Sequence, residues 1–272
     1  MSIARFTLLL LIFGPVTSLA GDIMFEGYYK ITLSGKSVGY NIQRYEYDAK
    51  SKTFSSISFL RVNFGQQLVQ ESLKAKSNDK FQPLSYQYTS QVDNELKTID
   101  ASFKGEIMQL TISDGKKKAR TETHKLPKGT FLSSFLTYIL MQKKLPVNEV
   151  FKYSGVAEED GGSYWGKAWI QTKVTKGPYT VLRVMNKFKG EEFGSNLAVI
   201  VDPKNPDQYI KGEIITTDSA AKAIATELVS NPSQATEGHT VPNKVLVTLF
   251  GNMPTGKINM VATPIRDKEK DQ

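Results

Sequence analysis

From Phe25 to about Thr123 the chain alternates short apolar and aromatic runs with turn residues at intervals of roughly 8–12 residues, the spacing of antiparallel meanders and barrels. The runs are FEGYYKITL, SVGYNIQRYEYD, TFSSISFLRVNF, QLVQESLKAKS, FQPLSYQYTSQ, LKTIDASFKG and IMQLTIS. A period of two is legible inside them: Leu84, Tyr86 and Tyr88 share one side of their strand. Asp114-Gly115 reads as a two-residue hairpin turn, and Lys116 to Lys118 after it as a solvated strand edge. The stretch LSGKSVGY, Leu33 to Tyr40, ends like a nucleotide-binding P-loop. A P-loop needs glycine five residues before Gly35, where Lys30 stands, and a helix after the serine. Here Val38, Tyr40 and Ile42 alternate with Gly39, Asn41 and Gln43, so Ser34-Gly35-Lys36-Ser37 is expected to be a hairpin turn.

The pattern changes after Leu126-Pro127-Lys128-Gly129. From Thr130 to Gln142 apolar residues recur at Phe131, Phe135 and Ile139 and at Leu132, Leu136 and Leu140, which predicts a helix with Thr130 as N-cap and Pro146 as stop. Strands resume at Val150 and run through FKYSGVAEE, YWGKAWIQTKV, YTVLRVMNKF, FGSNLAVIVD and YIKGEIITT. The stripe Ala221, Ile224, Ala225 and Leu228 predicts a second helix over Asp218–Ser230, capped by Thr217 and ended by Asn231-Pro232. Pro242 to Phe250 fits either a third helix or a strand. The fold expected is therefore mainly β: a single large curved antiparallel sheet or open barrel with two or three short helices as lid. No repeat or linker divides it, so residues 21–265 read as one β-rich domain followed by a charged tail, 266–272.

The N-terminus sets the expected compartment. Arg5, the apolar run Phe6 to Phe13, Gly14-Pro15 and the small residues of Ser18-Leu19-Ala20 form the pattern of a signal peptide cleaved after Ala20, which implies a periplasmic or secreted protein. The apolar run is far shorter than the roughly 20 residues that span a bilayer. The chain has no cysteine, so it offers no sulfur for lipoprotein acylation, disulfides or thiol catalysis. Its net charge of +8 would suit anionic lipid head groups or cell-wall polymers, and equally serves solubility.

Candidate chemistry is sparse. The two histidines, His124 and His239, are isolated; Gly35-Lys36-Ser37-Val38-Gly39 matches G-x-S-x-G in letters but falls in the expected hairpin and not at a strand-to-helix elbow; and Glu158-Glu159-Asp160-Gly161 lacks the alternation of a calcium loop. No catalytic residue, metal ligand or cofactor is assigned. What remains is aromatic: tyrosines and tryptophans lie on both faces of the same strands, which suggests burial on both sides or a ligand cavity. If a cavity exists, the helix from Phe131 to Met141 is its natural lid. The candidate ligand-binding residues are then Phe131, Phe135, Leu136 and Ile139 with Tyr86, Tyr88 and Trp169.

Three motifs carry a family resemblance. They are the hairpin Tyr28-Tyr29-Lys30-Ile31 through Gly35-Lys36-Ser37-Val38-Gly39-Tyr40, the strand Asp79-Lys80-Phe81-Gln82-Pro83-Leu84-Ser85-Tyr86, and Leu126-Pro127 before the Ser-rich apolar helix. With them the chain resembles uncharacterised exported β-proteins of Gram-negative bacteria, a domain of unknown function, over about residues 25 to 215. In outline it is similar to periplasmic open barrels of the lipoprotein-carrier type, which wrap a half-barrel around a helical lid and hold acyl chains. The resemblance adds fold and compartment and no catalytic residues; the function expected from the whole sequence is that of a non-enzymatic protein binding a lipid or another hydrophobic small molecule, with no nucleic acid and no membrane span after cleavage. An envelope protein–protein interaction or assembly module is the alternative. A cell-wall polymer hydrolase would need two carboxylates facing across a groove. An outer-membrane barrel would need an outward apolar band that the strands do not show.

Overall fold

The computed structural model describes residues 21–115, 118–143 and 145–256. Residues 1–20, on which the expected signal peptide falls, and 116, 117, 144 and 257–272, which include the expected charged tail, lie outside the described residues. The first half is a meander of β1 (Asp22–Leu33), β2 (Lys36–Asp48), β3 (Thr53–Phe64), β4 (Gln67–Asn78), β5 (Pro83–Val92), β6 (Glu95–Lys104), β7 (Ile107–Asp114) and β8 (Arg120–Lys125). After β9 (Phe131–Leu132), a 3₁₀ turn (Ser133–Phe135) and α1 (Leu136–Gln142), a second meander follows. It comprises β10 (Val150–Ala157), β11 (Gly162–Lys176), β12 (Tyr179–Phe188), β13 (Glu191–Asp202), β14 (Asn205–Ser219) and β15 (Ile224–Val229). Two helices, α2 (Pro232–Thr236) and α3 (Asn243–Phe250), close the described chain.

All fifteen strands form one sheet in the order β8 to β1, then β15 down to β9, antiparallel except where β9 lies parallel to β10. A flat sheet of this many strands would be about 67 Å wide at ~4.8 Å per strand. Yet the two edges, β8 and β9, are joined by the short segment from Lys125 to Phe131, which reaches at most about 21 Å. The sheet must therefore curl until its edges approach, giving an open barrel, with the chain crossing the gap and entering the interior as α1.

Alternation explains what lies inside and outside. On β1–β3 the inward set includes Phe25, Tyr29, Tyr45 and Phe54, all buried in the main core with α1. The outward set includes Tyr28, Tyr40, Ile42, Ile57 and Phe59, buried in a second core under Ala235 of α2 and Leu246 and Phe250 of α3. Aromatics on both faces thus reflect burial on both sides of these central strands. Two tyrosine hydroxyls tie the outer layer down: Tyr28 donates to the Pro254 carbonyl (3.2 Å) and Tyr40 to that of Thr240 (3.0 Å). Beside this second core, on the same outer face of β1 and β2, sits a buried ion pair. Arg44 donates to Glu26 (Nε–Oε2 2.7 Å), to the Phe250 carbonyl (2.7 Å) and to Asn252 Oδ1 (2.7 Å). Glu26 also accepts from the backbone amides of Thr255 and Gly256. The outer face of β4–β7, by contrast, is polar: Ser72, Lys74, Lys76, Gln87, Thr89, Asp100, Ser102, Gln109 and Thr111. Among the described residues no helix is long and apolar enough to cross a membrane.

The hairpin at Ser34-Gly35 has positive φ at both residues (49° and 79°), the geometry of a type I′ turn, with Lys36 exposed beside it. Other expectations are corrected. The helix expected over 130–142 is shorter: Phe131 and Leu132 extend the sheet beside Gly155 and Val156, a 3₁₀ turn follows at Ser133–Phe135, and the α-helix begins at Leu136. Thr130 does not cap it; its hydroxyl donates to the Pro127 carbonyl (2.7 Å) and shares a hydrogen bond with Ser154 Oγ (2.8 Å). The helix expected over 218–230 is absent. β14 runs to Ser219, a 3₁₀ turn follows, and β15 closes the two half-sheets by pairing with β1. Asn231-Pro232 starts α2 instead of ending a helix, with Asn231 Oδ1 accepting from the Ser233 amide (3.0 Å). Pro242–Phe250 resolves as helix, and β8 carries the stretch of strands read up to about Thr123 on to Lys125.

Candidate functional site

The interior divides around α1. On one side an aromatic wall from the first half-sheet grips the helix. Tyr45 meets Tyr138 edge-on at 4.8 Å between centroids, Phe54 stacks on Phe81 at 4.9 Å, and Phe81 lies 5.9 Å from Phe135. The Tyr45 hydroxyl donates to the Ser134 carbonyl at 2.8 Å. This wall is filled; burial raises the hydroxyl pKa values of Tyr45 and Tyr138 above the ordinary range.

On the other side, facing the second half-sheet, packing is incomplete. A cavity of about 230 Å³ lies between Ser133, Leu136, Thr137 and Leu140 and the inward residues of β12–β14: Val184, Asn186, Phe193, Ser195, Leu197, Ile214 and Thr217. Most of this lining is half-buried, so the cavity opens toward solvent. No charged residue lines it. Much of its polar lining is already paired within the protein. Ser133 Oγ donates to Glu158 Oε2 (2.6 Å), Asn186 Oδ1 accepts from the Tyr153 hydroxyl (2.7 Å), and Ser195 and Thr217 hydroxyls share a bond (2.9 Å). The cavity thus presents mainly apolar surface, with the Thr137 hydroxyl and the Asn186 Nδ2 group outside these bonds.

Glu158 fixes the rim. It is buried, and its second oxygen accepts from the Ser134 amide (3.1 Å), satisfying a donor at the start of the 3₁₀ turn. Desolvation by burial raises its pKa above the ordinary glutamate value, against the lowering effect of the serine bonds. The Ser133–Glu158 contact therefore reads as an anchor for the plug. The described histidines lie elsewhere: His124 pairs with Glu122 on the exposed edge strand β8, and His239 stands beside Ser37 on the outer face.

The residues singled out from sequence are distributed unevenly. Leu136 lines the cavity. Phe135 and Ile139 belong to the buried core around α1, and Phe131 packs on β9 with its ring 5.2 Å from that of Tyr153. Tyr86 and Tyr88 are buried in the first half-sheet, outside the cavity lining. The Tyr86 hydroxyl has no hydrogen-bond partner among the described residues. Trp169 alternates with the buried Ala168 and Ile170 and so faces outward, away from α1. The strand residues of the cavity were not identified from sequence; the one available signal was their inward alternation on the second meander.

No family model matches the chain, and no curated protein matches it. Among solved structures it is similar to a β-barrel-like protein of domain of unknown function DUF1849 from Brucella abortus. Identity is 13%, the TM-score is 0.49, and the match covers 77% of this chain and 97% of that one.

Proposed function

We propose that this chain is a non-catalytic binding protein that holds an apolar or amphipathic small molecule, such as a lipid, between α1 and β12–β14. The observation that carries the reading is the uncharged cavity of about 230 Å³ between α1 and the inner face of β12–β14. An apolar cavity of about 150 Å³ suffices to bind benzene, so this one has room for a small apolar molecule or one end of an acyl chain. Because many lining polar groups are internally paired, recognition rests on shape and apolar burial, with Thr137 and the Asn186 amide available to orient a neutral head group. The signal-peptide pattern supports an exported location for such a carrier. Organic extraction of the purified native protein followed by mass spectrometry tests this: a stoichiometric apolar compound is expected, and it should be depleted in Thr137→Phe, which fills the cavity. An extract without such a compound, from protein that also binds no added fatty acid, would overturn the proposal.

A further inference from the structure

The outer face of β10–β12 carries an arrangement that the interior does not explain. Lys152 on β10 is directly opposite Lys167 on β11, and Lys167 is directly opposite Lys187 on β12. Three like charges thus stand in one row across adjacent strands, where opposed side chains lie about 4.5–5.5 Å apart at Cβ and like charges destabilise the sheet. All three are exposed, and none forms an ion pair among the described residues. The nearest carboxylate in register is Glu192, opposite Lys187 on β13, and it does not close on the lysine. Glu159 and Asp160, at the adjoining turn, are held by Lys189.

Apolar groups share this face. Trp165 is 72% exposed, the largest exposure among the large hydrophobic side chains of the described residues. It lies two residues from Lys167 on the same side of β11, and Lys167 Nζ sits 5.5 Å from the Trp169 ring on its other flank. Val150, opposite Trp169, is 48% exposed. A shallow groove of about 420 Å³ runs between Lys152, Trp165, Lys167 and Lys187.

We propose that this face docks on an anionic lipid surface, the lysine row meeting head-group phosphates and Trp165 entering the interfacial layer. Charge complementarity chooses the occupant: uncompensated lysines in register call for dense negative charge. An exposed indole flanked by them calls for a medium that is apolar on one side and wet on the other, as at a membrane interface. A soluble polyanion would satisfy the lysines but leave the indole in water. The proposal is independent of the interior cavity, since docking uses only the outer face.

The chain has two tryptophans, and both lie on this face, so intrinsic fluorescence reports directly on it. The full chain is titrated with phosphatidylcholine vesicles with and without phosphatidylglycerol, at low and high salt, with brominated lipid as quencher. Expected are binding only to the phosphatidylglycerol vesicles, a blue shift, quenching by the brominated chains, and loss of binding at high salt. Lys152→Gln/Lys167→Gln/Lys187→Gln should weaken partition about 100-fold, from roughly fivefold per lysine near an anionic surface. Trp165→Ser should reduce the blue shift and quenching. Circular dichroism identical to the parent excludes misfolding, and Thr137→Phe, which fills the cavity, should bind vesicles as the parent does. Three results would overturn the proposal: no binding to phosphatidylglycerol vesicles, binding unaffected by the triple substitution, or binding to heparin without any quenching by brominated lipid. The last would identify a soluble polyanion as the occupant.

Discussion

Arg44 is the side chain whose loss should cost the fold most. It is 2% exposed and joins Glu26, the end of α3 and Asn252 in one buried network. Replacing it by methionine keeps an unbranched side chain that can fill the space, but removes the cation. Glu26, itself 3% exposed, then keeps its bonds to the Thr255 and Gly256 amides yet loses its counter-charge. Breaking a buried pair from one side costs about 3–5 kcal/mol. The Phe250 carbonyl and Asn252 each lose a donor as well, worth about 1 kcal/mol each when such bonds are net stabilising. These contributions overlap, so Arg44→Met should lower unfolding free energy by about 4 kcal/mol, a large share of the ~5–15 kcal/mol typical of a domain. Glu26→Gln in the same chain removes the orphaned charge, and the double variant should be about 2 kcal/mol more stable than the sum of the single losses predicts. Urea unfolding followed by far-ultraviolet circular dichroism measures all four members of the cycle. A loss under about 1 kcal/mol for Arg44→Met, or strict additivity, would refute the view that this pair clasps the C-terminal helix to the sheet.

Three further outcomes follow from the packing. Because burial raises the Glu158 pKa, the folded state takes up a proton more readily than the unfolded chain. Its contribution to stability is fully present below the ordinary glutamate value and is lost as pH rises through the raised folded value. Glu158→Gln keeps an acceptor for the Ser134 amide, so its unfolding free energy should vary less with pH than the parent's across mildly acidic to neutral pH; parallel curves would exclude this role. Tyr45→Phe removes the bond to the Ser134 carbonyl and should cost about 1 kcal/mol in urea unfolding; an unchanged midpoint would show that the bond does not hold the plug. Gly39→Ala should cost more than about 3 kcal/mol, because a Cβ there would strike the Arg61 carbonyl oxygen and Val62 Cα of β3, backbone atoms that cannot swing aside. Soluble expression with a parent-like thermal midpoint would contradict that.

Strands β1–β7 of the first meander are legible in the sequence because each buries one or both faces, and turns such as Ser34-Gly35 are marked by residues that tolerate positive φ. β8, RTETHK, has no apolar period at all, being an edge strand exposed on most of its length, so nothing local announces it. The segment Ala220–Val229 misleads for the opposite reason. Its Ala-rich stripe has helical spacing, but pairing with β1 and β14 outweighs propensity, and Ala223 takes a left-handed turn (φ 51°) that starts the strand. Phe131 and Leu132 likewise carry helical spacing but are captured by β10. The cavity was legible only on its helical side, at Leu136. Its other wall comes from β12–β14, and alternation says which residues face inward without saying that these face an unfilled part of α1.

The central claim, that the space beside α1 is a ligand chamber, is tested most directly by calorimetric titration of the lipid-stripped chain with straight-chain alcohols of increasing length. Each added methylene buried in the chamber contributes about 0.8 kcal/mol, so affinity should rise about fourfold per carbon and then level off once the chamber is full. In Thr137→Phe the plateau should arrive at a shorter chain. Binding that ignores chain length, or a plateau that does not move when the chamber is filled, would contradict the account.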